Sequence, residues 1–477
     1  MKTYSKFQIE AGFRRHTAPG LIILLLAVAL GPGSAFAQGN SAPLLTTFTN
    51  PTPAASDLFG FSVAAVGRDR VLIGMNDYTR NGGTDSAYLF SLTGTLITTF
   101  TNPTGVTNFF GFAVAALGSD RVLITGGYSN TSVAVYLLSI NGTLLTTLTN
   151  PVPAEGNSFG SALAAVGSDR VIIGAPGSIS GLEDSGEAYL FSTNGALLTT
   201  FTNPAPAAFV NFGYSVAAMG SDRVLIGAWG DNTGGTAAGL AYLFSINGTL
   251  LTTFTNPSPA DFELFGFQVA AVGSDRVLIS ANGDNSGATL DVGAAYLFTT
   301  NGTLVTTFTN PTPAGLDDFG WRVAAVGSSR VLICAERDDT GAQDAGTACL
   351  FSTNGTLLTT FTNPTPAVGD RFGVSVAVVG SDQVLIGAMW DDTGATDSGA
   401  AYLFDLPYPA LSIARNGSAV SLKWTTPETG IALQQTDLLG TSTVWNDTTN
   451  SVSITGLTNV VQQTMTATNR FFRLHLP

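Results

Sequence analysis

Thr-Asn-Pro recurs along this chain with its asparagine at 50, 102, 150, 203, 256, 310 and 363, so that successive copies stand 48 to 54 residues apart. A period of that size confines the fold to architectures in which one supersecondary unit is copied and stacked. Three further elements recur between the marks in fixed order. They are a Phe-Gly segment such as Phe59–Gly67, an Arg-Val-Leu-Ile segment such as Arg70–Gly74, and an Ala-Tyr-Leu-Phe segment such as Ala87–Phe90. The Thr- and Leu-rich run before each asparagine, for example Leu250–Thr255, supplies a fourth strand-like segment. We call the four segments A, B, C and D. A and B are joined by Gly-Ser-Asp-Arg or a close variant, and C and D often by Asn-Gly, as at Asn141, Asn247, Asn301 and Asn354; both read as tight hairpin turns. Asn-Gly-Thr could also accept a glycan, but the turn already explains it.

Four antiparallel strands in about fifty residues is the blade of a β-propeller rather than a helical solenoid or a shorter-period β-helix. The phase of the copies adds ring closure. The array opens on a lone D strand, Leu44–Thr49, and ends on a C strand, Ala401–Phe404, with no D after it. An open array would leave unpaired edges at both ends, whereas the first strand can complete the last blade. The expected fold is therefore all-β, a seven-bladed propeller over 44–405 closed by its N-terminal strand. A short linker, 38–43, precedes it. A small β-rich module, 406–477, follows, with alternating runs at Ala419–Trp424, Val452–Ile454 and Phe471–Leu474.

The first 37 residues carry Lys2, Lys6, Arg14 and Arg15, then the apolar run Leu21–Leu30, then Ala35-Phe36-Ala37 ahead of Gln38. This is the layout of a cleaved secretory signal, and the apolar run is short for an uncleaved anchor. The mature chain is expected to hold no transmembrane segment and to reside outside the cell, on its surface or in the periplasm. Cleavage removes four basic residues and one acid, taking the formal net charge from −14 to −17. So acidic a surface makes nucleic acid an unsuitable partner. With 44% hydrophobic and only 11% charged residues, the chain can bury a large core.

Phe-Gly-x-Ser-Val-Ala, followed by Val-Leu-Ile-Gly-Ala, an Asp-rich loop and Ala-Tyr-Leu-Phe, resembles the FG-GAP repeat of integrin α-subunit propellers and of many exported bacterial proteins. The copy from Phe372 to Phe404 shows it best. The resemblance covers 44–405 and implies the propeller fold. It does not carry over the family's calcium loop, because the A–B junction here is only Val379-Gly380-Ser381-Asp382 or its equivalent. Fold alone does not give activity.

Alternating strand direction puts the short A–B and C–D turns on one face of the disc and the variable B–C and D–A connections on the other. The B–C connections hold Asp77, Trp229 with Asp231, Asp284, Glu336 with Asp338 and Asp339, and Trp390 with Asp391 and Asp392. The D–A connections add Asp57, Glu155, Asp261, Glu263, Asp317, Asp318 and Asp370. Variable loops on a rigid scaffold are where binding residues gather. Trp229, Asp231, Asp284, Asp338, Asp339, Trp390, Asp391 and Asp392 are the candidate ligand-binding residues. Such carboxylates could hold Ca²⁺ or orient a glycan against the two tryptophans, or they could serve only their own loops' backbones.

Blade six has Cys334 where most blades have a strand-B glycine, and Cys349 where most have a strand-C tyrosine. If the tyrosine lies across the glycine, the two cysteines are cross-strand neighbours and could form a disulfide in an exported protein; two separate buried thiols are the alternative. Histidine-based catalysis is not expected in the propeller, since the two histidines are His16 and His475. Zinc sites of the His/Cys type and phosphate loops are likewise not indicated. The leading expectation is a binding or adhesion-type propeller that recognises a glycan, a protein or a cation. A structural envelope or matrix module and a carbohydrate-active enzyme using paired carboxylates are the alternatives.

Overall fold

The computed structural model describes residues 42–406, except 77–84, 106–108, 128–132, 154–155, 157, 178–181 and 286–290, and the tail strands between 412 and 475. The signal-like segment, Asp77 and Glu155 lie outside the described residues. Among the described residues every regular element is a strand.

Seven four-stranded antiparallel sheets make up the repeat region. Six are consecutive meanders spanning 62–101, 114–149, 162–202, 216–255, 265–309 and 322–362, which are blades one to six. The seventh joins Phe372–Val379, Gln383–Ala388 and Ala400–Asp405 to Leu44–Thr49. In that sheet Leu44 pairs with Phe404 and Thr49 with Ala400, so the ring is closed by the first strand.

The A strands are innermost, and each touches the A strand of the next blade around a complete circuit, blade seven against blade one included. The hydrophobic core is correspondingly divided into seven clusters, one between each pair of neighbouring blades. A strand packed on both faces reads as a continuous apolar run. This is why Val-Leu-Ile of strand B is buried throughout, as in Val71, Leu72 and Ile73, while the outer D strands expose every position but a few.

Polar staples fix the blades to one another. In six blades the arginine that starts strand B reaches the backbone of the next blade's A–B turn, as Arg70 does to the Ser119 carbonyl at 2.8 Å and Arg170 to that of Ser221 at 2.9 Å. Blade seven has Gln383 instead, which bonds Asp405 within its own blade. Strand-D threonines add a second row, for example Thr46 to the Leu92 carbonyl at 2.7 Å.

The strand-B glycine has a steric cause. A Cβ on Gly74, Gly174, Gly227 or Gly387 would stand 2.0 to 2.2 Å from the carbonyl oxygen of the next blade's Phe-Gly glycine. The glycine therefore admits the neighbouring blade, and no tyrosine covers it. The pairing confirms this, since Tyr189 opposes Ile173 while Gly174 opposes Ala188. The same register corrects the expected disulfide. Cys349 opposes Ile333, and Cys334 opposes Ala348. One residue out of register puts the two side chains on opposite faces of the sheet, and they enter different inter-blade cores as free, buried thiols.

The chain divides into two compact units, and 40–408 is one of them. In the other, the tail forms a four-stranded sheet built on Ala419–Thr425 and Thr458–Thr464 and a three-stranded one in which Ala432–Thr436 pairs with Phe471–His475. The β-rich reading of the tail is thus matched by its strands.

Candidate ligand-binding site

In blades one, five, six and seven the connections on the variable face are locked by a buried polar lattice built on the Thr-Asn-Pro asparagine, whereas the side-chain amides of Asn102 and Asn203 make no such bond. At blade seven, Asn363 Nδ2 donates to Asp370 at 2.7 Å and to Asp391 at 3.0 Å. The Ala367 amide donates to Asp370 at 2.6 Å, and Asp391 accepts from the Thr393 amide at 2.9 Å and the Tyr402 hydroxyl at 2.6 Å. At blade six, Asn310 likewise donates to Asp317 at 2.7 Å and Asp338 at 3.4 Å, and the Thr312 hydroxyl lies 3.2 Å from Asp338. At blade five Asn256 donates to Glu263 at 2.7 Å, and Tyr296 donates to Asp284. Burial, with a contribution from the facing carboxylates of Asp338 and Asp391, pushes the carboxyls of Asp317 and Asp370 up to about 6 despite the amide hydrogen bonds they accept.

The candidate residues are thereby sorted. Asp284, Asp338 and Asp391 accept from these side chains, and Asp231 accepts from the Thr233 amide at 2.8 Å, so all four serve the connections themselves. Asp339 and Asp392 are exposed and accept from the amides of Asp344 at 2.8 Å and Asp397 at 2.9 Å. Among the described residues no three His, Cys, Asp or Glu side chains converge as a metal-holding group. Trp229 stands edge-on behind Tyr214, ring centroids 5.9 Å apart. Trp390 alone of the eight reaches the cavity described next.

On the variable face the innermost strands surround a cavity of about 910 Å³. Its wall is the stretch around each Phe-Gly. The residue after the glycine is Phe61, Phe112, Ser161, Tyr214, Phe267, Trp321 and Val374 in successive blades. Six of these line the cavity, and Phe267, packed between Tyr214 and Trp321, completes an aromatic arc with centroid spacings of 4.9 and 5.0 Å. Phe61 and Phe112 form a second arc at 5.3 Å. The residue before each Phe-Gly has a left-handed backbone, including Leu58, Asp318 and Arg371, which also line the cavity. Bulky side chains seldom adopt this conformation, and when they do the surrounding fold has imposed it.

Charge is confined to the sector of blades six and seven. Arg371 bonds Glu336 Oε1 at 3.1 Å and lies over the Trp390 ring, 5.2 Å from its centroid. Arg337 stands 3.6 Å from Asp318, and Arg322 lies over Trp321 at 5.7 Å. Burial pushes the Glu336 carboxyl up to about 7 despite Arg371 and Arg322, and the Asp318 carboxyl up to about 6 despite Arg337. Among the described residues, Trp321 Nε1, Glu336 Oε2, Arg337 Nε, Arg371 Nε and Ser161 Oγ are buried with no hydrogen-bond partner. All five belong to residues of the cavity wall. A buried polar group without a partner costs about 1 to 3 kcal/mol, and a charged one more. Atoms in the same condition occur elsewhere on the ring, at Asn76, Asn102, Asn203, Trp229, Tyr242 and Asn282, and five stand together on this one wall.

Trp321, Arg322, Arg337, Arg371 and the aromatic arcs were not selected from the sequence. The available signal was the variation flanking an otherwise constant Phe-Gly, since that pair sits where each blade enters the channel.

The seven sheets and the strand that closes them define a seven-bladed β-propeller. The chain carries FG-GAP repeats, and the family's repeat matches it at 200–244 and 359–404. A search of curated proteins gave no match. Among solved structures it is similar to a eukaryotic initiation factor (12% identity, 61% of this chain and 62% of that one, TM-score 0.32). It is also similar to Sqt1 from Chaetomium thermophilum (11%, 81% and 97%, TM-score 0.44) and to BBS1N in complex with ARL6DN (12%, 77% and 97%, TM-score 0.42).

Proposed function

We propose that this is an exported recognition propeller that binds a ligand in the channel mouth between its D–A and B–C connections, with Trp321 and Trp390 as the main contacts. The carrying observation is that the departures from the repeat converge there. Asp318, Trp321, Arg322, Glu336, Arg337, Arg371 and Trp390 occupy positions at which the copies differ, and all seven line one cavity. Flat aromatic surface with fixed polar atoms suits a glycan or a polar side chain of a protein partner. Export rests on the signal-like start of the sequence. Screening the purified chain on glycan and cell-surface panels should find a ligand whose binding Trp321→Ala reduces at least tenfold. Unchanged binding by Trp321→Ala and Trp390→Ala would remove the channel mouth as the site.

Turnover is the second reading, supported by Glu336. A buried carboxyl pushed up to about 7 with one free oxygen has the properties of a general acid. Product release from a polysaccharide panel, abolished in Glu336→Gln, is its test.

A further inference from the structure

Every arginine of blades one to six that begins strand B serves as a staple on the opposite face, and the pattern predicts no others. Arg322, Arg337 and Arg371 are additional, and all three line the cavity. In a chain of net charge −14 these three guanidinium groups share the cavity wall with the carboxyls of Asp318, Glu336 and Asp397. Resting on the binding reading above, we propose that the ligand is a carboxylate-bearing saccharide, a uronic-acid glycan, held by its carboxylate on the Arg371–Arg337 side and by its apolar ring face on the Tyr214–Phe267–Trp321 arc.

The arc and the arginines call for different parts of one ligand. A sugar ring offers axial C–H groups to an aromatic face, which accounts for Trp321 and Tyr214, with buried Phe267 holding the two in place. It does not account for guanidinium forks. Those match a planar carboxylate, which accepts two parallel N–H bonds. Arg371 gives Nη1 to Glu336 while its Nε makes no hydrogen bond, and Arg337 stands between Asp318 and Asp344, 3.6 and 3.8 Å away, close enough for ion pairs but not for hydrogen bonds. Both line the cavity, and it is their guanidinium N–H groups on that side that would meet an incoming carboxylate. Arg322 bonds the Trp321 carbonyl at 3.2 Å and lies over the indole, adding positive potential beside the arc. Trp321 Nε1 and Glu336 Oε2 are buried without a hydrogen-bond partner, and they become a donor and an acceptor for saccharide hydroxyls once neighbouring side chains move aside.

Glu336 then ties binding to pH. It is surrounded by Arg371 from the D–A connection of blade seven, Arg322 from strand A, Arg337 beside it and Asp318 from the D–A connection of blade six. An incoming carboxylate shares Arg371 with Glu336, and two carboxylates on one fork repel. Protonation relieves this, and Glu336 protonates near neutrality because burial has already raised its carboxyl to about 7. Binding of an acidic saccharide therefore takes up a proton and tightens as pH falls from 8 to 6, a trend a neutral sugar does not show.

The test is calorimetric titration of the full chain with oligogalacturonate, oligoglucuronate and oligomannuronate, and with the neutral galactose, glucose and mannose oligomers, at pH 6 and pH 8. The expected result is binding to at least one acidic series, stronger at pH 6 and absent in its neutral counterpart. Arg371→Gln should weaken it roughly tenfold, the loss of one charge-assisted pair. Arg371→Lys should weaken it less, and Glu336→Gln should flatten the pH dependence, with circular dichroism showing each variant folded. Neutral oligomers binding as well as acidic ones, with Trp321→Ala harmful and Arg371→Gln not, would overturn the carboxylate and leave the binding site standing. Absence of binding by all three acidic series would overturn the proposal, and the wider surface panel then decides the site on its own.

Discussion

At the scale of single residues, the repeated asparagine combines a sequence landmark with a structural duty. Asn363 uses one amide group to reach two buried carboxylates, and its own Oδ1 accepts the Thr365 amide at 3.0 Å. Asn363→Ala would leave Asp370 and Asp391 facing each other without that donor. We expect a loss of about 2 to 3 kcal/mol in chemical denaturation, against less than about 0.5 kcal/mol for Asp392→Ala, whose carboxylate is solvated. Equal effects would show the lattice to be unimportant. The sequence revealed that these asparagines and acids recur, but which acids face solvent depends on contacts across 28 residues, as between Asn363 and Asp391, and no local pattern carries that. The cysteines show how fine the distinction is. Assignment to neighbouring strands was legible, yet a one-residue register difference decides between a disulfide and two separated thiols.

At the scale of elements, almost the whole propeller was legible, because each strand is written seven times and alternation, turns and spacing agree in every copy. Even the closing strand could be placed, from phase alone. Its energetic weight lies in Phe48, fully buried between blades seven and one and 5.4 Å from Phe90. Phe48→Ala should cost about 3 to 5 kcal/mol, in the range for a large buried aromatic. Because the strand also supplies the Thr46 staple at a seam that lacks the arginine staple, the damage should be local first. Hydrogen exchange should accelerate in Ala400–Asp405 before blades two to five, and uniform acceleration around the ring would contradict this view of the closure. The functional face was less legible for the opposite reason. Its residues matter where the copies differ, and a single chain offers one example of each difference. Trp390 stood out by type, whereas Arg371 and Trp321 gain meaning only once the ring brings blades six and seven together around one cavity.

For the whole molecule, the buried carboxyls set an unusual pH response. Asp317, Asp318 and Asp370 have carboxyls raised to about 6 and Glu336 to about 7, in each case chiefly by burial. In the unfolded chain the same groups return to about 4. Between these limits the folded state holds more protons than the unfolded one, so stability falls as pH rises through 6 to 7 and is fully present below the ordinary carboxylate range. The melting temperature should therefore rise by a few degrees as pH is lowered from 8 to 5, opposite to the trend set by carboxylates in strong ion pairs. Relief of general repulsion in a protein of net charge −14 and isoelectric point near 4.4 acts in the same direction. The two causes separate in Asp317→Asn/Asp370→Asn. Replacing two buried carboxyls by neutral amides removes two of the titrating groups but changes the net charge by only two. A markedly shallower slope in the double variant assigns the effect to the polar lattice, and an unaltered slope would assign it to surface charge.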